Sequence, residues 1–315
     1  MAMEKILPVL CACAIAALPA RDAHAQAIDN TDAYALANQL ADELELVRER
    51  MGRPFDDSPR LPVTAVTHTE LYFQVQTLLR KANQLAQELA GVAPRAPGPV
   101  PTGDIGAAEI YELLDDALAQ IRHVADAIGI AERAEFENRL TTIAPTGIFL
   151  VVIDVNRQLN LMLRVPISDA DVFNEISDAI TYATSALAAR TGTAAVPEAP
   201  PFDGYKRPAD VYLRLTECID AIIRVAPKIG VPVLGLASRR NIPEDTEPGQ
   251  VLDIARLVTA DLAAFASATG APLVRPELPS PRHSFSTEVF AHAGILLRQI
   301  EALEQALDRE AGLAP

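Results

Sequence analysis

An aromatic residue opens a stretch of helical periodicity seven times in this chain, at Tyr34, Tyr72, Tyr111, Phe149, Phe173, Tyr212 and Phe290, and Leu252 opens an eighth. Successive markers lie 38, 39, 38, 24, 39, 40 and 38 residues apart. Pairing the first four with the last four gives offsets of 139, 140, 141 and 141. After each marker, apolar residues recur at steps of three and four, as in Tyr212, Leu215, Ile219, Ile222, Ala226 and Ile229. That spacing puts one apolar stripe along a helix. A recurring structural position is what core packing demands, so the markers are read as core residues and not as a binding box.

The pattern predicts an all-α fold of eight amphipathic helices, arranged as two tandem, duplicated four-helix bundle-like units with long Pro-rich connections. The expected organisation is a signal peptide over 1–25, a first unit over 26–165 and a second over 166–315. Like surfaces of a duplication could pack these units with pseudo-twofold symmetry. The short segment 131–142 is a candidate for one extra helix inside a connection.

Start and stop signals fit this outline. Thr31, Thr69, Ser168 or Asp169, and Ser286 are candidate N-caps, whose side-chain oxygens would accept from free backbone N–H groups. Gly52, Gly129, Gly230 and Gly270 suit left-handed C-terminal caps. The connections are longer than the two to eight or so residues usual in bundles. An extended segment of about fifteen residues reaches roughly 45 Å, more than the ~28 Å of a nineteen-residue helix. The chain can therefore run back along a helix, and successive helices can be parallel as easily as antiparallel.

The first residues, MAMEKILPVLCACAIAALPARDAHAQA, carry Lys5, a short apolar run and the small-x-small site Ala23-His24-Ala25. They read as a secretory signal cleaved after Ala25, with a periplasmic or secreted product of a Gram-negative-type bacterium. The net charge of −15 argues against nucleic acid and anionic lipid, which need a basic footprint. No membrane insertion is expected after signal cleavage. Cys218 would be the single thiol of the mature chain, so packing and not disulfides would carry stability.

The sequence contains no Gly-rich phosphate loop, no G-x-S-x-G elbow, no H-E-x-x-H and no C-x-x-C. Catalytic residues, a metal and a cofactor are accordingly not expected, and the chain is read as a non-enzyme. His292 and His123 fall off their seams and read as flank or surface residues, and Cys218 as a small buried thiol. Asn156 is the exception within a seam: an amide stands at a core position where the second copy has Leu297. It reads as a register-setting residue or, with its neighbours Arg157 and Asn160, as a ligand contact.

Cations in the connections form a second candidate group: Lys206 and Arg207 beside Tyr205 and Phe202, and Arg239 with Arg240. Such a set could grip an anionic ligand or partner. The function expected from all this is a non-catalytic helical interaction or scaffold protein whose partner is another envelope protein. The alternative is a small-ligand-binding or sensory module, with an anionic ligand held within or between the units.

Overall fold

The computed structural model describes residues 28–57, 63–101, 103–136, 142–201, 204–236, 245–270, 272–278 and 285–312. The signal-like segment, Phe202, Arg239 and Arg240 lie outside them. Eight helices are described: α1 (Asn30–Met51), α2 (His68–Ala90), α3 (Ala107–Ala127), α4 (Pro145–Met162), α5 (Asp169–Thr191), α6 (Pro208–Ile229), α7 (Pro248–Thr269) and α8 (Ser286–Glu310). Two residue pairs, Val63–Leu236 and Thr64–Gly235, join β1 (Val63–Thr64) and β2 (Gly235–Leu236) as an antiparallel ladder. The all-α expectation holds. Residues 130–136 are not helical, and the remainder of the supposed extra helix through 141 is outside the described residues.

Helices α1–α4 form one group, in which α1 and α2 each touch α3 and α4. Helices α5–α8 form a second group with the same pattern, α5 and α6 each touching α7 and α8. Every marker is buried or packed against the core: Tyr72, Phe149 and Leu252 are buried, and Tyr34, Tyr111, Phe173, Tyr212 and Phe290 lean on it.

Helix direction follows from what meets at the ends. In the first turn of α1, Asn30 donates to Ile143 O just before α4 (3.1 Å) and meets His68 at the start of α2 (2.8 Å). Val66 N, just before α2, donates to Thr146 Oγ1 in the first turn of α4 at 3.1 Å. Burial holds the His68 pKa down, and the Glu109 carboxylate in the first turn of α3 opposes it. At the opposite end, Gln84 and Glu88 of α2 bond to the backbone of Val165 and Arg164 beyond α4. All four helices thus start at one end.

The second group behaves alike. Ser286 Oγ at the start of α8 donates to Asp169 at the start of α5 (3.0 Å), Lys206 N donates to Thr287 Oγ1 (3.0 Å), and Arg190 meets Glu310 in the last turns (3.3 Å). Two parallel four-helix groups explain the connections. Six of them run 16 to 18 residues, enough to return the full length of a helix, and the link between α4 and α5 has only six. With no return there, α5 begins where α4 ends, and the second group points the opposite way from the first.

A parallel bundle collects four positive dipole ends on one side. The sequence answers this at nearly every helix. The residue three places into the helix accepts from the N-cap backbone N–H: Asp32, Glu70, Glu109, Asp171, Asp210, Gln250 and Glu288, at 2.7–3.2 Å. Six of these seven are carboxylates, so part of the acidity of the chain serves helix starts. The N-caps themselves are Asp29, Thr67, Ser168 and Phe285, which corrects Thr31, Thr69 and Ser286: the earlier residue holds the extended backbone that a cap requires. Gly52, Gly230 and Gly270 are left-handed C-caps as expected, while Gly129 follows the C-cap Ile128 by one residue.

The two groups do not meet through matching surfaces. Helices α2 and α4 of the first group receive α7 of the second, whereas the matching partners of α2 and α7 are α6 and α3. The expected pseudo-twofold packing is therefore replaced by a heterologous one, and α7 is buried along nearly its whole length.

Candidate functional site

The junction between the groups is polar at its centre. Lys81, only 1% exposed, extends from α2 to Asp253 Oδ1 of α7 (2.9 Å) and donates to Asn156 O of α4 at 3.4 Å. Asn156 Nδ2 donates to Gln74 O (3.2 Å), and Gln74 Nε2 donates to Asp253 O (2.7 Å). Burial pulls the Lys81 pKa down and pushes Asp253 up, against their mutual attraction. Tyr212, pushed up to about 12 by burial and then by Asp253, stands near the same pair.

Further along α7, Arg256 Nε lies 3.0 Å from Glu175 Oε2 of α5 without directing its N–H there. Burial raises Glu175 to about 7. Beyond it Asp261 faces Glu70 of α2; burial first, and Glu70 second, raise the Asp261 pKa well above normal. Glu70 is itself engaged, by Thr67 N (2.7 Å), Thr67 Oγ1 and Leu234 N of the α6–α7 connection (2.9 Å). The order of contacts is antiparallel. Glu70 near the start of α2 meets Asp261 late in α7, and Lys81 later in α2 meets Asp253 early in α7.

Of the residues singled out in the sequence, Asn156, Arg157 and Asn160 all lie at this junction. Asn156 is fully buried within the network. Arg157 holds Asp56 of the α1–α2 connection at 3.0 Å. Asn160 lies so close to Gly249, at the start of α7, that a Cβ there would come within 2.6 Å of its amide nitrogen. Lys81, Asp253, Glu175, Arg256 and Asp261 were missed. They sit off the apolar stripes, and the surface that buries them comes from distant parts of the chain.

Tyr205, Lys206 and Arg207 form a separate corner, before α6. Within the second group α8 lies diagonally opposite α7, so this corner is on the side away from the junction. Tyr205 is 95% and Phe285 62% exposed. The Phe290 ring takes Lys206 Nζ at 4.9 Å and the Arg214 guanidinium at 4.4 Å from its centroid.

Between the groups, at the start of α2, lies a cleft of about 440 Å³. Phe73, Val100, Ile105, Val231, Ala263 and Ala264 give it apolar walls, and His68, Thr69, Asp104 and Ser267 give it polar ones. Near the other end of α7, a cleft of about 270 Å³ is bordered by Asp56, Asp57, Asn160, Asp245 and Glu247.

His292 is a correction. It is buried, stacked on Phe173 at 4.0 Å and bonded to Ser177 Oγ at 2.9 Å, and burial lowers it to about 4. His123 is exposed. Cys218 is buried, and burial pushes its thiol up, away from the reactive thiolate. Among the described residues no group of three or more His, Cys, Asp or Glu is placed to hold a metal ion, and no helix is long and apolar enough to cross a membrane. Comparison of the chain with protein-family models, curated proteins and solved structures found no match.

Proposed function

We propose that this is an exported, non-catalytic interaction protein, and that its partner contacts the corner formed by Tyr205, Lys206, Phe285 and Phe290. The observation that carries this reading is internal. Val66 N bonds to Thr146 Oγ1 as Lys206 N bonds to Thr287 Oγ1, at 3.1 and 3.0 Å, so the two groups build this corner in the same way. The offsets pair Tyr205 with Ala65, Lys206 with Val66 and Phe285 with Ala144. Alanine suffices for the fold at two of these places. The second group instead exposes two aromatic rings beside Lys206, Arg207 and Arg214, and tyrosine and arginine are among the residue types that dominate interface energetics. The partner that fits is an acidic segment of another exported protein, laid across rings and cations together.

The same offsets and the shared ring of helix contacts support an origin of the two groups by tandem duplication. The experiment for the main reading is capture from a periplasmic extract with the wild-type chain and with Tyr205→Ala/Phe285→Ala. Both proteins should melt within about 2 °C of one another, since exposed substitutions cost little, and the variant should lose partners that elute with rising salt. Equal capture by both would refute the reading. A second reading, small-ligand binding, draws support from the 440 Å³ cleft between the groups, which falls within the size range of ligand sites.

A further inference from the structure

We infer that the cleft at the start of α2 binds an organic cation: an amine or guanidinium carried on a small apolar body. The inference rests on the ligand-binding reading and assigns the ligand's chemistry.

The walls supply the first argument. Phe73, Val100, Ile105, Val231 and Ala264 can cover an apolar frame, and among the described residues the lining contains Asp104 but neither lysine nor arginine.

The helix ends supply the second. Because the two groups are antiparallel, the cleft lies where the second group finishes. Gly230 and Val231, just past α6, and Ser267 and Ala268, in the last turn of α7, belong to its lining. Those ends present the negative pole of the helix dipole and last-turn carbonyls, of which Ala226 O and Ser267 O accept from the capping residues. The first group presents the start of α2, which elsewhere would favour an anion. Here the Glu70 carboxylate already occupies the Thr67 N–H and hydroxyl, and Thr67 Oγ1 accepts from Thr69 N at 3.2 Å. The positive end of α2 is closed by a negative charge.

The third argument lies immediately behind the wall. Glu70 is three residues from Phe73 on α2, and Asp261 is three from Ala264 on α7, so this facing pair backs the cleft. Both are 1% exposed, and the Asp261 side chain shares a hydrogen bond with Glu70. Among the described residues no cation acts on Asp261; burial and then Glu70 raise its pKa and so favour its neutral form. His68, the basic group among the described lining residues, has its pKa lowered by burial and is turned to Asn30. Helix C-terminal ends and an exposed carboxylate therefore border an apolar space backed by a carboxyl pair and not by a cation, and the complementary charge must come with the ligand.

The test is calorimetric titration of the full mature chain at low ionic strength with three probes of one shape: phenethylammonium, 2-phenylethanol and 3-phenylpropionate. The cation should bind saturably with a dissociation constant of the order of 1 mM or tighter, and the anion at least ~10-fold more weakly, as expected for unlike and like charges at a partly desolvated site. Asp104→Asn should weaken the cation about 3- to 10-fold and leave the alcohol unchanged. Ala264→Leu, which fills the wall, should weaken both. Equal binding of cation and anion, or cation binding indifferent to both variants, overturns the inference. If the alcohol binds and responds to Ala264→Leu while the cation gains nothing, ligand binding survives and the cation does not. If none of the three binds, both fall.

Discussion

The outer face of α2 and α4 and the corresponding face of α6 and α8 hold the same places in their groups and differ in what covers them. On α2 and α4 it carries Phe73, Gln74, Lys81 and Asn156, and α7 covers it. On α6 and α8 the matching residues are Leu213, Arg214, Ala221 and Leu297. There Leu213 is 46% exposed, and ion pairs join the helices instead: Arg224 to Glu304 (3.1 Å), Lys228 to Glu304 (3.2 Å) and Lys228 to Asp308 (2.6 Å). A heterologous contact can repeat without end unless one surface is changed. The α6/α8 face carries charges, a polar outer surface like that of the outermost units of repeat arrays. Long side chains that are buried and paired in one group thus correspond to short or solvated ones in the other.

The most severe way to break this contrast is to strand a charge in the covered face. Lys81→Ala leaves Asp253 buried without its cation and should cost about 3–5 kcal/mol, read as a fall in the midpoint of urea unfolding. The double change Lys81→Met/Asp253→Leu removes both charges and should recover most of that loss. If the double variant is as unstable as the single one, shape and not charge governs the seam.

Next in size is the pH dependence of the covered face. Glu175 has its folded pKa raised from 4.5 to about 7 by burial. A carboxyl with a raised pKa binds more protons folded than unfolded, so stability is fully present below about pH 4.5 and is lost as pH rises through about 7. His292, lowered from 6.5 to about 4 by burial, has the opposite slope: its stabilisation is present above about 6.5 and is lost as pH falls towards 4. Glu175→Gln should therefore flatten the decline between about pH 4.5 and 7 by roughly 2–3 kcal/mol and expose the rising limb of His292. Urea midpoints that keep their wild-type dependence on pH in the variant would show that Glu175 is solvated as an anion.

These residues also show what the sequence could reveal. The recurrence of Tyr34, Tyr72, Tyr111 and Phe149 in Phe173, Tyr212, Leu252 and Phe290 made the eight helices legible, and the single gap of 24 falls at the six-residue link between α4 and α5. Asn156 was visible because Leu297 stood at the matching place. Lys81 was not, because periodicity reports one buried stripe per helix and a helix buried on two sides hides its polar side as if it faced water. The same blindness made His292 read as a flank or surface residue, although α5 supplies Phe173 and Ser177 to cover it. Helix α7, buried on nearly all sides, is also the one whose marker position holds Leu252 and not an aromatic residue.

The mildest comparison uses two glycines. A Cβ on Gly294, in the α8 face, would come within 2.6 Å of the Pro200 ring, and one on Gly249, at the junction, within 2.6 Å of the Asn160 amide. Arg298 Nη1 holds Glu198 O at 2.9 Å and pins the connection carrying Pro200, so that ring has little freedom to withdraw. Asn160 has a side chain that can rotate away. Gly294→Ala should therefore cost about 1–2 kcal/mol through overpacking. Gly249→Ala, at the first turn of a helix, should be within about 0.5 kcal/mol of neutral, the clash offset by alanine's better helix propensity. Exchanging the order of these two effects in thermal melts would mean that the connection over α8 yields more easily than the junction, and that the α6/α8 face is the looser of the two.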